Sequence, residues 1–242
     1  MEGNSQPRLS ATAAAPANAR ILVWDMPVRV FHWLLAASFL GAWLTAEGDQ
    51  WRLLHVTLGY TVLGLVGFRI VWGVLGTRYA RFASFVRSPS IVVRYIGSLL
   101  RGKPQHYTGH NPAGAVAILA LLLLGLAVGV SGWATYALAN GEAYEDLHEV
   151  LATLMLVIVA LHILGVVVGS WVHHENLVGA MITGRKHGAP SDGIERDRRG
   201  PGVLLLAAVL GFWWWQLQHP ADGVARSGRA SVNETDRRSD ED

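Results

Sequence analysis

Long apolar stretches alternate with short polar ones along this chain, and the order of that alternation predicts its architecture. Val28–Ala46, Trp51–Leu75, Ala113–Ala139 and Asp146–His173 are each almost uninterrupted apolar runs. Each exceeds the roughly 17 residues that a helix needs to cross a hydrocarbon layer. They predict four transmembrane helices. A fifth run, Val203–Leu217, ends in Trp213-Trp214-Trp215. Its fifteen residues rise only about 22 Å, short of a core of about 30 Å, and tryptophans suit a membrane interface. It is read as a fifth span, with an interfacial helix as the alternative.

The polar stretches complete the plan. Residues 1–22 read as a disordered tail, 23–187 as the four-helix domain, 188–200 as a linker, 201–218 as the fifth helix and 219–242 as a second tail. The tails are rich in small, polar and charged residues that cannot bury a core. Val30–Ala46 also has the length and the small residues of a signal-peptide core. It carries His32 and further spans follow it, so an uncleaved first helix is the better reading. Within the loop Thr77–His110, Ser90–Leu100 predicts a short interfacial helix with Arg94 snorkelling to water. The fold class is all-α, an integral membrane bundle.

Composition agrees and narrows the chemistry. Of 242 residues, 51% are hydrophobic and none is cysteine. Disulfides, thiolate metal sites, Cys-ligated iron–sulfur clusters and covalent haem attachment are thereby excluded. Net charge is only +2, but the charges are segregated. The loop after the second helix holds Arg78, Arg81, Arg87, Arg94, Arg101 and Lys103 with no acid, and Arg185-Lys186-His187 follows the fourth. The turns after the first and third helices are acidic, with Glu47, Asp49, Glu142, Glu145 and Asp146. The positive-inside rule puts the N-terminus and the basic loops in the cytoplasm. No nucleic-acid motif is present, and the basic residues fit a membrane topology.

Histidines inside the spans carry the candidate chemistry, because ionisable groups in a membrane are costly and mark functional sites. His148 and His162 stand fourteen residues apart on one helix. That spacing is nearly four turns, so the rings share a face within about 40° and lie about 21 Å apart along the axis. Topology sets the depth of the others. His55, at the start of the second helix, falls level with His148. His32, at the start of the first, falls toward the level of His162. Histidines bonded to neighbouring helices are the plainer reading for any one of them. Two on one face with depth-matched partners favour metal centres. Opposed imidazoles from neighbouring helices can ligate an iron porphyrin from both sides. Zinc would need more ligands or an open water position, and copper or a proton relay is less economical. Gly59, one turn from His55, leaves room for a flat ligand. Gly125, Gly129 and Gly132 line one face of the third helix as a close-packing stripe.

Arg29 and Arg69 lie toward the cytoplasmic side, and either can offer a planar fork to haem carboxylates. Snorkelling at a helix end is the plainer role. His106, His110, His187 and His219 fall in loop, linker or tail and read as solvated. His173 and His174 end the fourth helix, where they anchor it or take up protons near a quinone.

Trp24-Asp25-Met26-Pro27-Val28-Arg29-Val30-Phe31-His32-Trp33 resembles the opening motif of the bacterial cytochrome b561 and nickel–iron hydrogenase b-type cytochrome family. Leu54-His55-Val56-Thr57-Leu58-Gly59-Tyr60, Phe68-Arg69-Ile70-Val71-Trp72-Gly73 and the two histidines of the fourth helix resemble it too, over about residues 22–187. The resemblance implies a four-helix core holding two b haems, non-covalently, through His32, His55, His148 and His162. It implies a multi-pass protein of the bacterial inner (plasma) membrane. It also implies electron transfer between membrane quinone and a protein partner, such as a hydrogenase or reductase subunit or a c-type cytochrome. The fifth segment departs from the minimal pattern and leaves the partner open.

The reading is therefore a dihaem cytochrome b of a respiratory chain, the electron-transfer subunit of an oxidoreductase. Bis-His ligation leaves no open iron position, which favours electron transfer over oxygen chemistry. Two alternatives stand beside it. One is a stand-alone quinone oxidoreductase of the superoxide:quinone type. The other is a haem or divalent-metal transporter using the same four histidines as transit sites.

Overall fold

The computed structural model describes residues 19–103, 105–138 and 141–219. Five of its helices are long and apolar enough to cross a bilayer: α1 (Met26–Leu44), α2 (Arg52–Leu75), α5 (Pro112–Ala137), α6 (Glu145–Val172) and α8 (Arg199–Gln218). Two short helices, α3 (Phe82–Phe85) and α4 (Pro89–Leu100), lie in the basic loop, and α7 (Leu177–Thr183) follows α6. Helix α4 occupies the stretch expected to lie at the interface. The remaining calls for residues 1–18 and 220–242 lie outside the described residues.

The helix starts are written locally. Proline opens α1, α4 and α5, where its missing N–H costs nothing. Asp25 caps α1, accepting from Val28 N at 3.0 Å, and Asn111 caps α5, accepting from Gly114 N at 2.7 Å. Asn176 caps α7 in the same way, and Gly184 stops it with φ 78°.

Asp25 does more than cap. It is fully buried and also accepts from Trp72 Nε1 (3.0 Å) and Thr77 Oγ1 (2.8 Å). One carboxylate thus ties the start of α1 to the end of α2. Removing it would leave these buried donors unpaired, at about 1–3 kcal/mol each.

Neighbouring spans pack in the order α8, α1, α2, α5, α6. Phe31 and Phe39 of α1 meet Val62, Leu65 and Val66 of α2, Leu122 of α5, Met155 of α6 and Val209 of α8 in one core. Gly125 and Gly129 let α5 approach α2: a Cβ on Gly129 would sit 2.8 Å from Leu63, and one on Gly125 3.0 Å from Val66. Helix α6 packs along α5, with no comparable packing against α1 or α2. Its outward side chains, among them Val150, Leu161 and Trp171, are exposed. In water that surface would aggregate; in a bilayer it faces lipid.

Two stretches differ from expectation. Ala19–Leu22, read as the end of a tail, is a strand (β1), antiparallel to Arg185–Gly188 (β2), with Ala19 opposite Gly188 and Leu22 opposite Arg185. The ribbon buries Ile21, Val23 and Trp24 against Tyr79 and Ala180, which offsets the entropy of ordering the tail. The second difference is in the fifth helix. It starts at Arg199 and has 20 residues, so it rises about 30 Å and matches the hydrocarbon thickness. Trp213 Nε1 donates to Thr61 Oγ1 of α2 at 2.8 Å, fastening α8 to the core.

Candidate functional site

His55 lies near the start of α2 and His148 near the start of α6, both at the end bearing the acidic turns. Their ring centres are 6.1 Å apart and their planes cross at 82°. His55 Nδ1 lies 2.8 Å from the Ala42 carbonyl of α1. His148 Nδ1 lies 3.0 Å from the Val128 carbonyl of α5 and 3.2 Å from Ser131 Oγ. A carbonyl only accepts, so each Nδ1 donates. Each Nε2 then keeps its lone pair, the state a metal ligand requires. Gly132 makes this seat: a Cβ there would fall 2.9 Å from His148 Cε1. Gly132 therefore faces the imidazole, while the rest of the expected stripe faces α2.

The second pair lies toward the other end. His32 of α1 has a buried Nδ1 without a hydrogen-bond partner, and His162 is its expected counterpart on α6. Arg69 of α2 lies toward the same end and is only 3% exposed. Its guanidinium stacks over Phe82 at 5.1 Å and Phe85 at 6.0 Å, and its NH1 is buried with no acceptor. Arg29 is engaged instead. Its Nη2 donates to both carboxylate oxygens of Asp197 at 2.9 and 3.0 Å and its Nη1 to the Ile182 carbonyl at 3.0 Å, while its Nε is buried without an acceptor.

Sequence reasoning missed three groups at this end. His110, read as solvated, tucks its ring between Trp24 (4.5 Å) and Phe85 (4.6 Å), with Nδ1 shut away from solvent and unpaired. Burial first, then the charges of Arg69, Lys186 and His162, push its pKa down to about 3. Lys186 of β2 is buried and pairs with Glu175 at 2.9 Å. The one signal for His110 was its place immediately before the Asn111-Pro112 helix start. Lys186 had none, because it sits in a run of basic residues that reads as a solvated helix end. His173 stands 5.7 Å from His106, and His174 lines a surface groove with Trp171 and Asn176.

The His55–His148 pair fits a bis-imidazole iron centre. Two metal–nitrogen bonds of about 2 Å, with half of each ring, span about the separation seen. Among the described residues, no three His, Asp or Glu side chains converge on one point, so a protein-built tetrahedral site lacks ligands. The other end fits a porphyrin in another way: Arg69 Nη1 is buried without an acceptor, although the Asp25 charge acts on the guanidinium through space, and such an N–H calls for a carboxylate.

A family model described as prokaryotic cytochrome b561 matches residues 23–184. The chain belongs to that family. It is 24% identical over 214 residues to a protein of Rhodobacter capsulatus named probable Ni/Fe-hydrogenase B-type cytochrome subunit, covering 69% of this chain and 81% of that one. Proteins of the same name from Azotobacter chroococcum mcd 1 and Azotobacter vinelandii are each 29% identical over 150 residues, covering 50% of this chain and 62% of theirs. No solved structure gives a significant match. As a cytochrome b561 with five apolar helices, the protein is a multi-pass bacterial membrane protein of electron transfer, and the family implies haem b.

Proposed function

We propose that this cytochrome carries electrons across the bilayer between the quinone pool and a redox protein, through two haems b. His55 and His148 would hold the outer one, and His32 and His162 the inner one. The observation that carries the reading is the outer pair, two imidazoles 6.1 Å apart with both Nδ1 atoms bonded to other groups. Haem supplies reversible one-electron chemistry; the chain supplies ligation, position and a low-dielectric setting. Backbone carbonyls that fix the ring tautomers suit a resident ligand set, and this favours a cytochrome over a transporter that must release its cargo.

Of the two arginines, Arg69 is the better carboxylate clamp, since Arg29 is already bonded to Asp197. His110 lies within electrostatic reach of Arg69 and Lys186 but is neutral at ordinary pH, and Lys186 is paired with Glu175, so Arg69 is the unpaired buried cation of the inner end among the described residues. The groove of about 530 Å³ beside Ser170, Trp171, His174 and Asn176 is the proposed quinone contact. Glu47, Asp49, Glu145 and Asp146 are exposed at the outer end. They would dock a basic redox partner, because complementary charge accelerates encounter. By the positive-inside rule the inner end is cytoplasmic. The relatives' names make a hydrogenase one candidate partner.

The test is stoichiometry. Purified protein should hold two haems per chain, both removed by acid–acetone. One haem per chain, or colour that resists extraction, overturns the reading.

A further inference from the structure

A second cleft opens at the basic face between α1, α7, β2 and the start of α8, with a volume of about 780 Å³. Its two halves differ in chemistry. Toward the bilayer it is walled by Val30 and Leu34 of α1, with Trp33 beside them, and by Leu206 of α8. Toward water it is walled by Arg29, Arg185, Arg199 and Asp197. Arg29 and Asp197 neutralise each other in an ion pair. Arg185 is exposed, and among the described residues its side chain makes only a 3.5 Å hydrogen bond to the Arg20 carbonyl. Arg199 is 82% exposed and reaches Asp197 only at 3.4 Å. A solvated pair at that distance holds its partner weakly. The cleft therefore presents two available guanidiniums above an apolar wedge that continues into the membrane.

We propose that this cleft binds an anionic phospholipid, with Arg185 and Arg199 on the phosphate and an acyl chain along Val30, Leu34 and Leu206. A quinone head carries no charge and does not call for two free cations. A free phosphate has no use for the apolar wall. An anionic lipid uses both halves, and basic pockets between spans on the cytoplasmic side take such headgroups. The bound lipid would bridge α1 and α8, which approach closely where Gly202 meets Met26, a residue of the cleft wall.

Native mass spectrometry of the full haem-loaded chain tests this. Phosphatidylglycerol and phosphatidylcholine of identical acyl chains are titrated in, and bound lipids are counted. One phosphatidylglycerol should be retained in preference to phosphatidylcholine. The double variant Arg185→Gln/Arg199→Gln should lose roughly thirtyfold in that affinity, while Arg185→Lys/Arg199→Lys keeps most of it. The haem spectrum of each variant reports that the fold is intact. Equal retention of the two lipids overturns the proposal. So does displacement by millimolar inorganic phosphate, which would mark a free-anion site. Displacement of the bound phosphatidylglycerol by added quinone would overturn it as well, since it would mark the cleft as a quinone site.

Discussion

At the acidic end of the bundle the backbone holds the histidines; at the basic end buried polar groups stand without hydrogen-bond partners. His55 and His148 each have Nδ1 on a main-chain carbonyl, and no buried cation is recorded beside them among the described residues. His32 has a buried, unpaired Nδ1, and toward the same end of the bundle lie the buried Arg69, His110 and the Lys186–Glu175 pair. One end is set in geometry before any ligand arrives. The other keeps unpaired donors for a partner to satisfy. Donors left unpaired in a low dielectric are costly, so the inner end should gain more from its ligand than the outer end does.

The widest effect expected is loss of a whole haem. His55→Ala and His148→Ala should abolish the same spectral and redox component, and His32→Ala and His162→Ala the other. Redox titration of each variant checks this. Matching behaviour of His32→Ala and His148→Ala would break the division into two ends.

Next comes charge at the inner end. Arg69→Leu removes a buried cation, and a nearby positive charge favours the reduced iron. The inner midpoint potential should fall by tens of millivolts, at an effective dielectric of about 20, with the outer one unmoved. Arg69→Lys should restore part of the shift. Equal shifts in both potentials would show that the effect of Arg69 is not local.

Much of this arrangement was legible in the sequence. Periodicity alone set His148 and His162 on one face, and loop charge set the depth at which His55 meets His148. What pinned those rings was not legible, because a main-chain carbonyl has no side-chain signature. The inner end was harder still. Lys186 is buried only because β1 pairs with β2 across more than 160 residues, and four-residue strands carry no periodic signal. Asp197 meets Arg29 over 168 residues. His110 needed the basic loop to fold back over the bundle, which charge counting placed in water.

A third and smaller effect separates the ends by pH. The unfolded chain protonates His110 below about 6.5, and the folded protein only near 3. Between those values the unfolded state binds more protons, so stability falls as pH falls through that window. Between pH 7 and 5 the loss should reach up to about 2 kcal/mol. His110→Gln, neutral throughout, should flatten this slope, read as the thermal midpoint of inner-haem bleaching against pH. An unchanged slope would assign the acid sensitivity elsewhere.

The smallest effect belongs to the outer end, where geometry rather than charge is at stake. Gly132→Ala places a methyl 2.9 Å from His148 Cε1 and 3.1 Å from Nδ1. The ring cannot back away without lengthening its 3.0 Å bond to the Val128 carbonyl. Overpacking of this kind costs about 1–3 kcal/mol, and the gain in helix propensity from Gly to Ala returns about 1. The net loss should be near 1 kcal/mol, with a shifted outer potential, a broadened outer-haem band and no change at the inner end. Gly211→Ala on α8, where nothing lies within 4 Å of the added carbon, controls for propensity and should leave both components as they are. If Gly132→Ala behaves like Gly211→Ala, the His148 seat is not set by the close approach of α5. The claim that geometry governs the outer end would then fall with it.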